Sequence, residues 1–300
     1  MCIRDSNYGI YLGHSSNNII KNNRISNNSV GIDLDLSSNN QISDNTFIKD
    51  GILVFGYKNI IERNTVNGRP LVYLEEKTNV EIEDAGQVIL VNCSNIEVKN
   101  LNLSNTDVGI ELLNSENCKI GSNVMSNNGF SILLVNSSNN TVKNNSISNN
   151  EWGVLFLLSS SNTITNNRIS NNEWGIGLHG SLNNIIKNNE VSDNGYGIRL
   201  IGSDGNTISG CNILNNYWGI FLYSSYRNKI NHNNFINNSV QATFKYGTIP
   251  PSFSNCWYRN YWSDWRCILP RPIHGEVYMK LIESTISWFN FDILPSMRPH

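Results

Sequence analysis

A histidine, an arginine and two aromatic residues recur at related positions of a sequence repeat and make up a candidate binding site. They are His179, Arg199, Phe221 and Tyr223. Flat aromatic rings pack against the faces of pyranose sugars, and a guanidinium forms paired hydrogen bonds with acidic groups. The four residues are therefore candidates for a small sugar-binding patch. A solvated face with scattered apolar residues is the interpretation that the sequence alone favours.

Acidic residues that could support catalysis on a carbohydrate are few and distant from this patch. Hydrolysis requires two carboxyl groups as general acid and general base, and lyase chemistry requires an acidic cluster with a basic residue. Asp33 and Asp35 are the only acidic pair at outward positions, and they lie seven coils of the repeat from His179. The sequence therefore predicts no catalytic residues, and a lyase, hydrolase or epimerase remains an alternative.

Metal-ligating residues are scattered along the chain. The five histidines fall at different positions of the repeat or in the C-terminal tail, and Met125 occupies a core position. Copper sites group imidazole and sulfur ligands in space. The sequence therefore predicts no metal and no cofactor. The histidines are His14, His179, His232, His274 and His300.

Six cysteines do not form a disulfide framework in a chain of 300 residues. Cys118 and Cys211 replace corner asparagines and Cys93 follows a core strand, which predicts buried free thiols. Cys256 and Cys267 form the only plausible bridge. The sequence leaves open whether these two are joined.

A repeat of 22 residues positions these side chains. Gly153, Gly175, Gly197 and Gly219 mark its interval, and each repeat contains short apolar runs with period-two alternation, bounded by Asn, Ser or Gly. Such runs predict three short strands in each repeat. Short strands bury a core only by stacking coil on coil, about 4.8 Å apart. The sequence therefore predicts an all-β fold, a right-handed parallel β-helix of about eleven coils with three parallel sheets.

The register of the repeat predicts the role of its isoleucines and asparagines. Equivalent isoleucines are expected in one buried column, comprising Ile20, Ile42, Ile164, Ile186 and Ile208. Paired asparagines are expected at the corners, where Asn tolerates left-handed dihedrals, and stacked corners are expected to form amide ladders. Examples of these pairs are Asn171–Asn172, Asn183–Asn184 and Asn188–Asn189.

Aromatic residues precede the repeat glycines in four consecutive coils. They share the parity of the inward isoleucines, so we expect an aromatic stack that closes one corner of the core. An exposed stacking platform for a glycan is the alternative. The four residues are Trp152, Trp174, Tyr196 and Trp218.

The repeat also indicates the domain organisation. Residues 1–241 are predicted to form the β-helix domain, with irregular coils at 51–86, where charge replaces Asn. Residues 242–300 lose the repeat and are rich in Pro, Trp, Tyr and Arg, which predicts a C-terminal aromatic cap or a short appended module. Residues 1–6, MCIRDS, resemble the ends of assembled environmental fragments, so the native N-terminus is expected upstream.

The composition restricts the range of partners. The net charge is −2 and charges of both signs are interspersed, which argues against a nucleic-acid or anionic-membrane surface. No apolar run is long enough to span a membrane, and no signal peptide precedes the repeats. Polysaccharide or other envelope components are the expected partners.

Sequence blocks beyond the repeat carry a family resemblance. The Asn-rich coils, the block DAGQVILVNCSNI and the closing NYWSDW resemble the NosD-like β-helix proteins of the pectin-lyase-like fold, including an archaeal cell-surface branch. The resemblance implies an exported protein, extracellular, at the cell surface or periplasmic. The family's namesake is a periplasmic accessory factor for copper loading of nitrous oxide reductase.

Three functions are compatible with the sequence. The first is a non-catalytic exported or cell-surface protein that binds glycan or envelope components. The second is a carbohydrate-active enzyme on the same fold, and the third is a copper-handling accessory factor like the family's namesake. Outward acidic clusters would favour the second and a His, Met or Cys cluster the third, and the sequence displays neither. The first function is therefore the expectation.

Overall fold

The fold is a right-handed parallel β-helix of about 11 turns. A computed structural model describes residues 2–247, 255–265, 267–279 and 284–300. These residues form strands joined by turns, and they include no helix of the length and apolarity that crossing a membrane requires. The predicted fold class is confirmed.

The strands fall into two stacks. The N-terminal stack comprises β1 (Cys2–Arg4), β2 (Tyr8–Gly13), β3 (Ile19–Lys21), β4 (Arg24–Ser26), β5 (Val30–Asp35), β6 (Gln41–Ser43), β7 (Thr46–Ile48), β8 (Ile52–Phe55), β9 (Ile60–Glu62) and β10 (Thr65–Val66). The C-terminal stack comprises β11 (Arg69–Glu75), β12 (Glu81–Ile82), β13 (Gln87–Val91), β14 (Glu97–Lys99), β15 (Asn102–Ser104), β16 (Val108–Leu113), β17 (Lys119–Gly121), β18 (Val124–Ser126), β19 (Phe130–Val135), β20 (Thr141–Lys143), β21 (Ser146–Ser148), β22 (Trp152–Leu157), β23 (Thr163–Thr165), β24 (Arg168–Ser170), β25 (Trp174–His179), β26 (Ile185–Lys187), β27 (Glu190–Ser192), β28 (Tyr196–Ile201), β29 (Thr207–Ser209), β30 (Asn212–Leu214), β31 (Trp218–Tyr223), β32 (Lys229–Asn231), β33 (Asn234–Ile236), β34 (Val240–Tyr246), β35 (Cys256–Tyr258), β36 (Tyr261–Trp262), β37 (Arg271–Met279) and β38 (Ser284–Asp292).

Three parallel sheets run along the C-terminal stack. The longest strand of each coil, from β11 and β13 to β34 and β37, belongs to one sheet, which we call the first sheet. The second sheet begins with β12 and β14 and ends with β32 and β35. The third sheet begins with β15 and β18 and ends with β33 and β36. Side chains at equivalent repeat positions therefore stack, and their inward apolar residues form the core.

The buried isoleucines occupy two columns rather than one. Ile164, Ile186 and Ile208 are paired in register in the second sheet and have no exposed surface. Ile20 and Ile42 are also buried, but they pair in a separate sheet of the N-terminal stack. The prediction of burial is confirmed, and the prediction of a single column is wrong because the chain breaks the stack between them.

The break is a hairpin between β10 and β11. These two strands pair antiparallel, with Val66 opposite Arg69, around a turn at Asn67 and Gly68. Both turn residues have positive φ, 50° and 81°, a conformation that Asn and Gly tolerate. The chain therefore starts a second stack instead of adding another coil to the first.

The last coil of the N-terminal stack lies against the outer face of the first sheet. Outward residues of β13 and β16, including Ile89 and Leu113, close the core of the N-terminal stack around Ile52 and Val54. Farther along the face, Leu53 packs on outward leucines of β19 and β22. Apolar side chains at these outward positions are thus buried between the stacks, and the arrangement protects the open end of the first stack from water.

The two asparagines of each corner pair have different structural roles. The first member adopts positive φ, as Asn183 and Asn188 do at 55° and 53°. The second member is buried and forms the ladder: the Asn184 side-chain oxygen accepts from the Asn162 backbone N–H at 2.8 Å, and the Asn184 side-chain NH₂ donates to Asn206 at 3.1 Å. Corner turning and amide ladders are both confirmed.

The parallel ladders continue past residue 241. β34 pairs with β31 in the 22-residue register, and β35 and β36 extend the second and third sheets. Trp257 and Trp262 fill the core of this coil, and the Trp262 ring stacks on Phe235 with centroids 4.1 Å apart. The antiparallel hairpin β37–β38 then closes the first sheet. An aromatic cap is therefore present, and the domain boundary at 241 remains a prediction.

The five cysteines from Cys93 to Cys267 are free thiols. Cys93, Cys118 and Cys211 are buried, as predicted. Cys256 and Cys267 are also free, so the one bridge that the sequence left open is not formed.

Candidate functional site

The first sheet brings the four predicted site residues onto three adjacent strands. Arg199 on β28 and Phe221 on β31 pair directly in the ladder. Ile201 lies between His179 on β25 and Tyr223 on β31 in the next column of the same face. The part of the outer face that the N-terminal stack leaves uncovered therefore carries the predicted patch.

A column of four stacked aromatic rings borders this face. Successive rings are nearly parallel, with centroids 4.9, 4.4 and 4.3 Å apart from Trp152 through Trp174 and Tyr196 to Trp218. The prediction that they close a corner of the core is wrong. The Trp152 ring covers the outer side of Gly177, and the Trp174 ring lies under the Arg199 guanidinium, so the column is on the outside of the sheet.

The repeat glycine explains why the parity prediction failed. Trp174 and Ile176 pair with their equivalents in the next coil, but Gly175 between them does not. A Cβ atom on Gly175 would lie 2.6 Å from the backbone oxygen of Gly197. The close approach of the two backbones and the missing pair at Gly175 interrupt the strict in-and-out alternation of the strand.

The aromatic column ends in a groove. Val240 takes the place of an aromatic residue in the coil after Trp218, so the far side of the Trp218 ring borders open space. The groove has a volume of about 640 Å³. Its lining residues are Tyr196, Arg199, Ile201, Trp218, Phe221, Tyr223, Val240, Thr243, Lys245 and His274.

Three polar groove residues were missed by the sequence prediction. Thr243 and Lys245 lie 22 residues after Phe221 and Tyr223 and pair with them, so the repeat interval itself could have found them. They were overlooked because the repeat domain was ended at residue 241. His274 lies on β37, opposite Phe289 of the closing hairpin, and no periodic signal in the sequence indicated it.

Arg199 is the unpaired cation of the groove. Its guanidinium carbon lies 4.4 Å from the Trp174 ring centroid and 5.6 Å from that of Tyr196. Its Nε atom is buried without a hydrogen-bond partner, and burial lowers the pKa of the guanidinium. An arginine stays protonated in proteins. Within the described residues no carboxylate pairs with Arg199, whereas Lys245 lies 3.1 Å from Glu276.

His179 lies beside the groove rather than in its lining. Its ring meets the Trp152 ring edge-on at 5.6 Å, and its Nε2 atom is buried without a partner. Burial lowers the pKa of the imidazole, and the nearby positive charge of Arg199 lowers it further. His179 is therefore neutral at neutral pH, and Arg199 is the charged member of the four predicted residues.

Carboxyl groups are absent from the lining of the groove among the described residues. Asp33, which the sequence paired with Asp35, is buried where the two stacks meet, together with Asp50, Asp107 and Glu111. These four buried carboxyls lie at the opposite end of the face from Arg199. The groove offers an anion an aromatic surface and the Arg199 guanidinium, whereas the Lys245 ammonium at its edge is paired with Glu276.

Several solved structures resemble the chain at low sequence identity. The mannuronan C-5 epimerase AlgE4 A-module of Azotobacter vinelandii is 16% identical, with 82% of this chain and 80% of that chain covered and a TM-score of 0.45. A mutant of the periplasmic alginate epimerase AlgG is 15% identical, with 92% and 65% covered and a TM-score of 0.48. The exopolygalacturonase of Thermotoga maritima is 10% identical, with 98% and 88% covered and a TM-score of 0.32. At these values the likeness concerns the fold alone.

No curated protein sequence matches the chain. Two family models match successive parts of it. Residues 2–85 match the model described as right handed beta helix region. Residues 74–267, well over half of the chain, match the model described as periplasmic copper-binding protein (NosD). The N-terminal stack and the break lie within the match to the right handed beta helix region, and all lining residues of the groove except His274 lie within the match to NosD. The chain belongs to the NosD family.

Proposed function

We propose that this chain is a non-catalytic, exported β-helix protein whose groove binds acidic glycan. The name of the family model supports a periplasmic setting, and an extracellular or cell-surface setting of an archaeal type is part of the same proposal. The ligand class follows from the chemistry of the groove. A carboxylate-bearing sugar presents both an anionic group and a flat ring face.

The unpaired guanidinium of Arg199 carries the proposal. A partly desolvated cation without a counter-ion is costly unless a ligand supplies the negative charge. The Trp174 ring holds the guanidinium from one side, which leaves its terminal N–H groups to form a paired hydrogen bond with a carboxylate. Trp218, Phe221 and Tyr223 line the same groove and offer apolar surface for the sugar ring.

Enzymatic action on an acidic sugar is the second candidate, and one observation favours it. Lys245 and His274 share the groove with Arg199, and both side chains can transfer a proton. Proton removal next to a sugar carboxylate, as in elimination or epimerisation, needs such a base beside a group that neutralises the carboxylate. Hydrolysis is disfavoured because the groove lining lacks the two carboxyl groups that it requires.

Copper handling fits the described residues poorly. Copper is held by grouped imidazole, thiolate or thioether ligands. Among the described residues no three His, Cys, Asp or Glu side chains are placed to hold a metal ion. The rings of His232 and His300 approach to 5.2 Å, but His300 Nε2 already bonds the Arg259 carbonyl at 2.6 Å. Copper handling is therefore not proposed.

Calorimetric titration of the whole chain tests the proposal. Tetragalacturonate and tetramannuronate are expected to bind, and the neutral cellotetraose is expected to bind much more weakly. Arg199→Ala should remove this preference. Arg168→Ala is the matched control, because Arg168 is an exposed cation on β24 of the third sheet. Equal binding of neutral and acidic sugars would contradict the proposal.

A parallel assay distinguishes binding from catalysis. Wild-type protein incubated with polygalacturonate and alginate is expected to release no unsaturated or reducing ends and to leave the epimer composition unchanged. Turnover that is lost in Lys245→Ala or His274→Ala would establish the enzymatic candidate instead.

A further inference from the structure

Four carboxyl side chains are buried where the N-terminal stack meets the C-terminal stack. Asp33 and Asp50 come from the N-terminal stack, and Asp107 and Glu111 come from the C-terminal stack; we call them the junction carboxyls. Their exposed fractions are 7%, 0%, 6% and 0%. Carboxyl groups are rarely buried to this extent without a cation, so their presence at one interface requires an explanation.

The junction carboxyls of the C-terminal stack bond the backbone of the N-terminal stack. Asp107 Oδ2 accepts the N–H groups of Gly31 at 2.6 Å and Gly51 at 2.9 Å. The Glu111 carboxyl group accepts the N–H of Val54 at 3.1 Å. These bonds replace part of the ladder that a further coil would supply, so Asp107 and Glu111 hold the two stacks together.

The junction carboxyls of the N-terminal stack are less well partnered. Asp50 accepts the backbone N–H and the side-chain NH₂ of Asn28, both at 2.8 Å. Asp33 Oδ1 is buried without a hydrogen-bond partner. Burial of this oxygen without a partner disfavours the ionised form of Asp33.

Cations do not compensate the junction carboxyls. None of the lysines and arginines in the described residues forms an ion pair with them. Other titratable groups border the junction without neutralising it: Asp35, Lys49, Tyr57 and Lys58 from the N-terminal stack, and Tyr73, Glu75 and Cys93 from the C-terminal stack. Tyr73 donates to Glu75 at 2.6 Å, so its hydroxyl is engaged elsewhere.

Burial raises the affinity of these groups for protons. It raises the pKa of Asp33 and of Asp50 to about 6 and that of Asp107 to about 7. The pKa of Glu111 is raised well above its ordinary value, first by burial. Around pH 5 the docked carboxyls are therefore mostly protonated, while the same groups exposed to water would be mostly ionised.

The covalent connection between the stacks permits them to separate. The chain passes from one stack to the other once, through the turn at Asn67 and Gly68. No atom lies within 4 Å of the position that a Cβ on Gly68 would take. Gly68 can therefore absorb the backbone change of a hinge, and opening must also break the bonds that the Asn67 side-chain NH₂ donates to the Ser104 and Asn105 carbonyl oxygens at 2.9 Å.

We infer that the N-terminal stack is a hinged arm that docks on the first sheet in acid and is released as the junction carboxyls ionise. Docking is held by the apolar contacts of Leu53 and Ile89 and their neighbours, and ionisation opposes it. Asp33, Asp50 and Asp107 stabilise docking fully below about pH 4, and this stabilisation is lost as the pH rises through about 6 to 7. Glu111 acts in the same direction. The inference is independent of what the groove binds.

Hydrogen exchange and small-angle scattering of the whole chain between pH 4 and pH 8 test the inference. The Val54 amide is expected to lose protection, after correction for intrinsic exchange, by about tenfold per pH unit for each carboxyl that ionises on opening. The radius of gyration should rise over the same interval. A constant radius and constant corrected protection would overturn the inference.

Neutral variants separate ionisation from other effects of pH. Asp33→Asn is the mildest, because its Oδ1 has no partner to lose, and Asp107→Asn with Glu111→Gln removes two further charges. Both should keep Val54 protected to higher pH than the wild type. Glu190→Gln, which removes an exposed carboxylate on β27, should follow the wild type. Equal pH dependence of Asp33→Asn and wild type would also overturn the inference, even if the double variant fails to fold.

Discussion

The guanidinium carbon of Arg199 lies 4.4 Å from the centre of the Trp174 ring. Trp174 is itself fixed between Trp152 and Tyr196, with ring centroids 4.9 and 4.4 Å away. A cation held over a ring that cannot move is ordered before any ligand arrives, so less entropy is lost on binding. The aromatic column therefore orders the Arg199 guanidinium at the edge of the groove.

Arg199→Ala should weaken binding of an acidic oligosaccharide by about 1 to 3 kcal/mol, the range for losing a charge-assisted hydrogen bond. The affinity of Arg199→Lys should lie between those of Arg199→Ala and the wild type, because lysine keeps the charge but lacks the planar guanidinium. Titration calorimetry measures both. If the wild type binds the oligosaccharide and Arg199→Ala binds it with the same affinity, the ligand does not contact Arg199.

Ile186→Asp should cost several kcal/mol of unfolding free energy, because it buries an unpaired charge in the core ladder. Ile186 has no exposed surface, whereas its neighbour Ile185 is 41% exposed. Ile185→Asp is therefore the control and should leave the stability nearly unchanged. Denaturant unfolding measures the difference, and similar losses in both variants would contradict the inward register.

Much of this fold could be predicted from the sequence because one interval governs it. Each 22-residue step adds one coil, so the residues that pair across coils follow from arithmetic, as for Ile164 and Ile186. The same arithmetic placed Arg199 beside Phe221. Periodicity in a solenoid fixes register directly, since every coil contacts only its neighbours.

Features that depend on a departure from the interval could not be predicted. The inward orientation predicted for Trp174 is wrong because the backbones of neighbouring coils approach closely at Gly175 and the alternation is interrupted there. The burial of Glu111 requires the whole N-terminal stack to fold onto the first sheet. His274 enters the groove from a hairpin that follows no repeat. Each of these is a tertiary contact that local patterns do not encode.

Asn167→Ala should destabilise the fold by about 2 to 4 kcal/mol, because several buried hydrogen bonds lose a partner. The Asn167 side-chain oxygen accepts the backbone N–H of Asn145 at 2.9 Å, and its NH₂ group donates to the Val142 carbonyl at 3.0 Å. Asn166 is exposed with φ of 55°, so Asn166→Gly is a mild control. Calorimetric melting compares the two, and a smaller loss for Asn167→Ala than for Asn166→Gly would refute the ladder.

Gly175→Ala should destabilise the coil by about 1 to 3 kcal/mol, since the added methyl must displace a backbone oxygen 2.6 Å away. Gly121→Ala is the matched control, because a Cβ there would be at an ordinary contact distance of 3.4 Å from Lys143. Near-ultraviolet dichroism should also change in Gly175→Ala, as the Trp174 ring shifts. Equal stability of both variants would show that the close approach of the backbones is not required.

The stability that His179 contributes should fall in acid. Burial and the charge of Arg199 lower its pKa in the folded protein, so the unfolded chain binds the proton more readily. The contribution is complete above the unfolded value, about 6.5, and is lost as the pH falls through it toward the folded value. The junction carboxyls act in the opposite direction, so the effect must be isolated as a difference between wild type and His179→Gln. That difference in unfolding free energy, measured in denaturant from pH 8 to pH 5, should shift against the wild type as the pH falls. A difference that is constant over this range would show that the imidazole titrates as freely in the folded protein as in the unfolded chain.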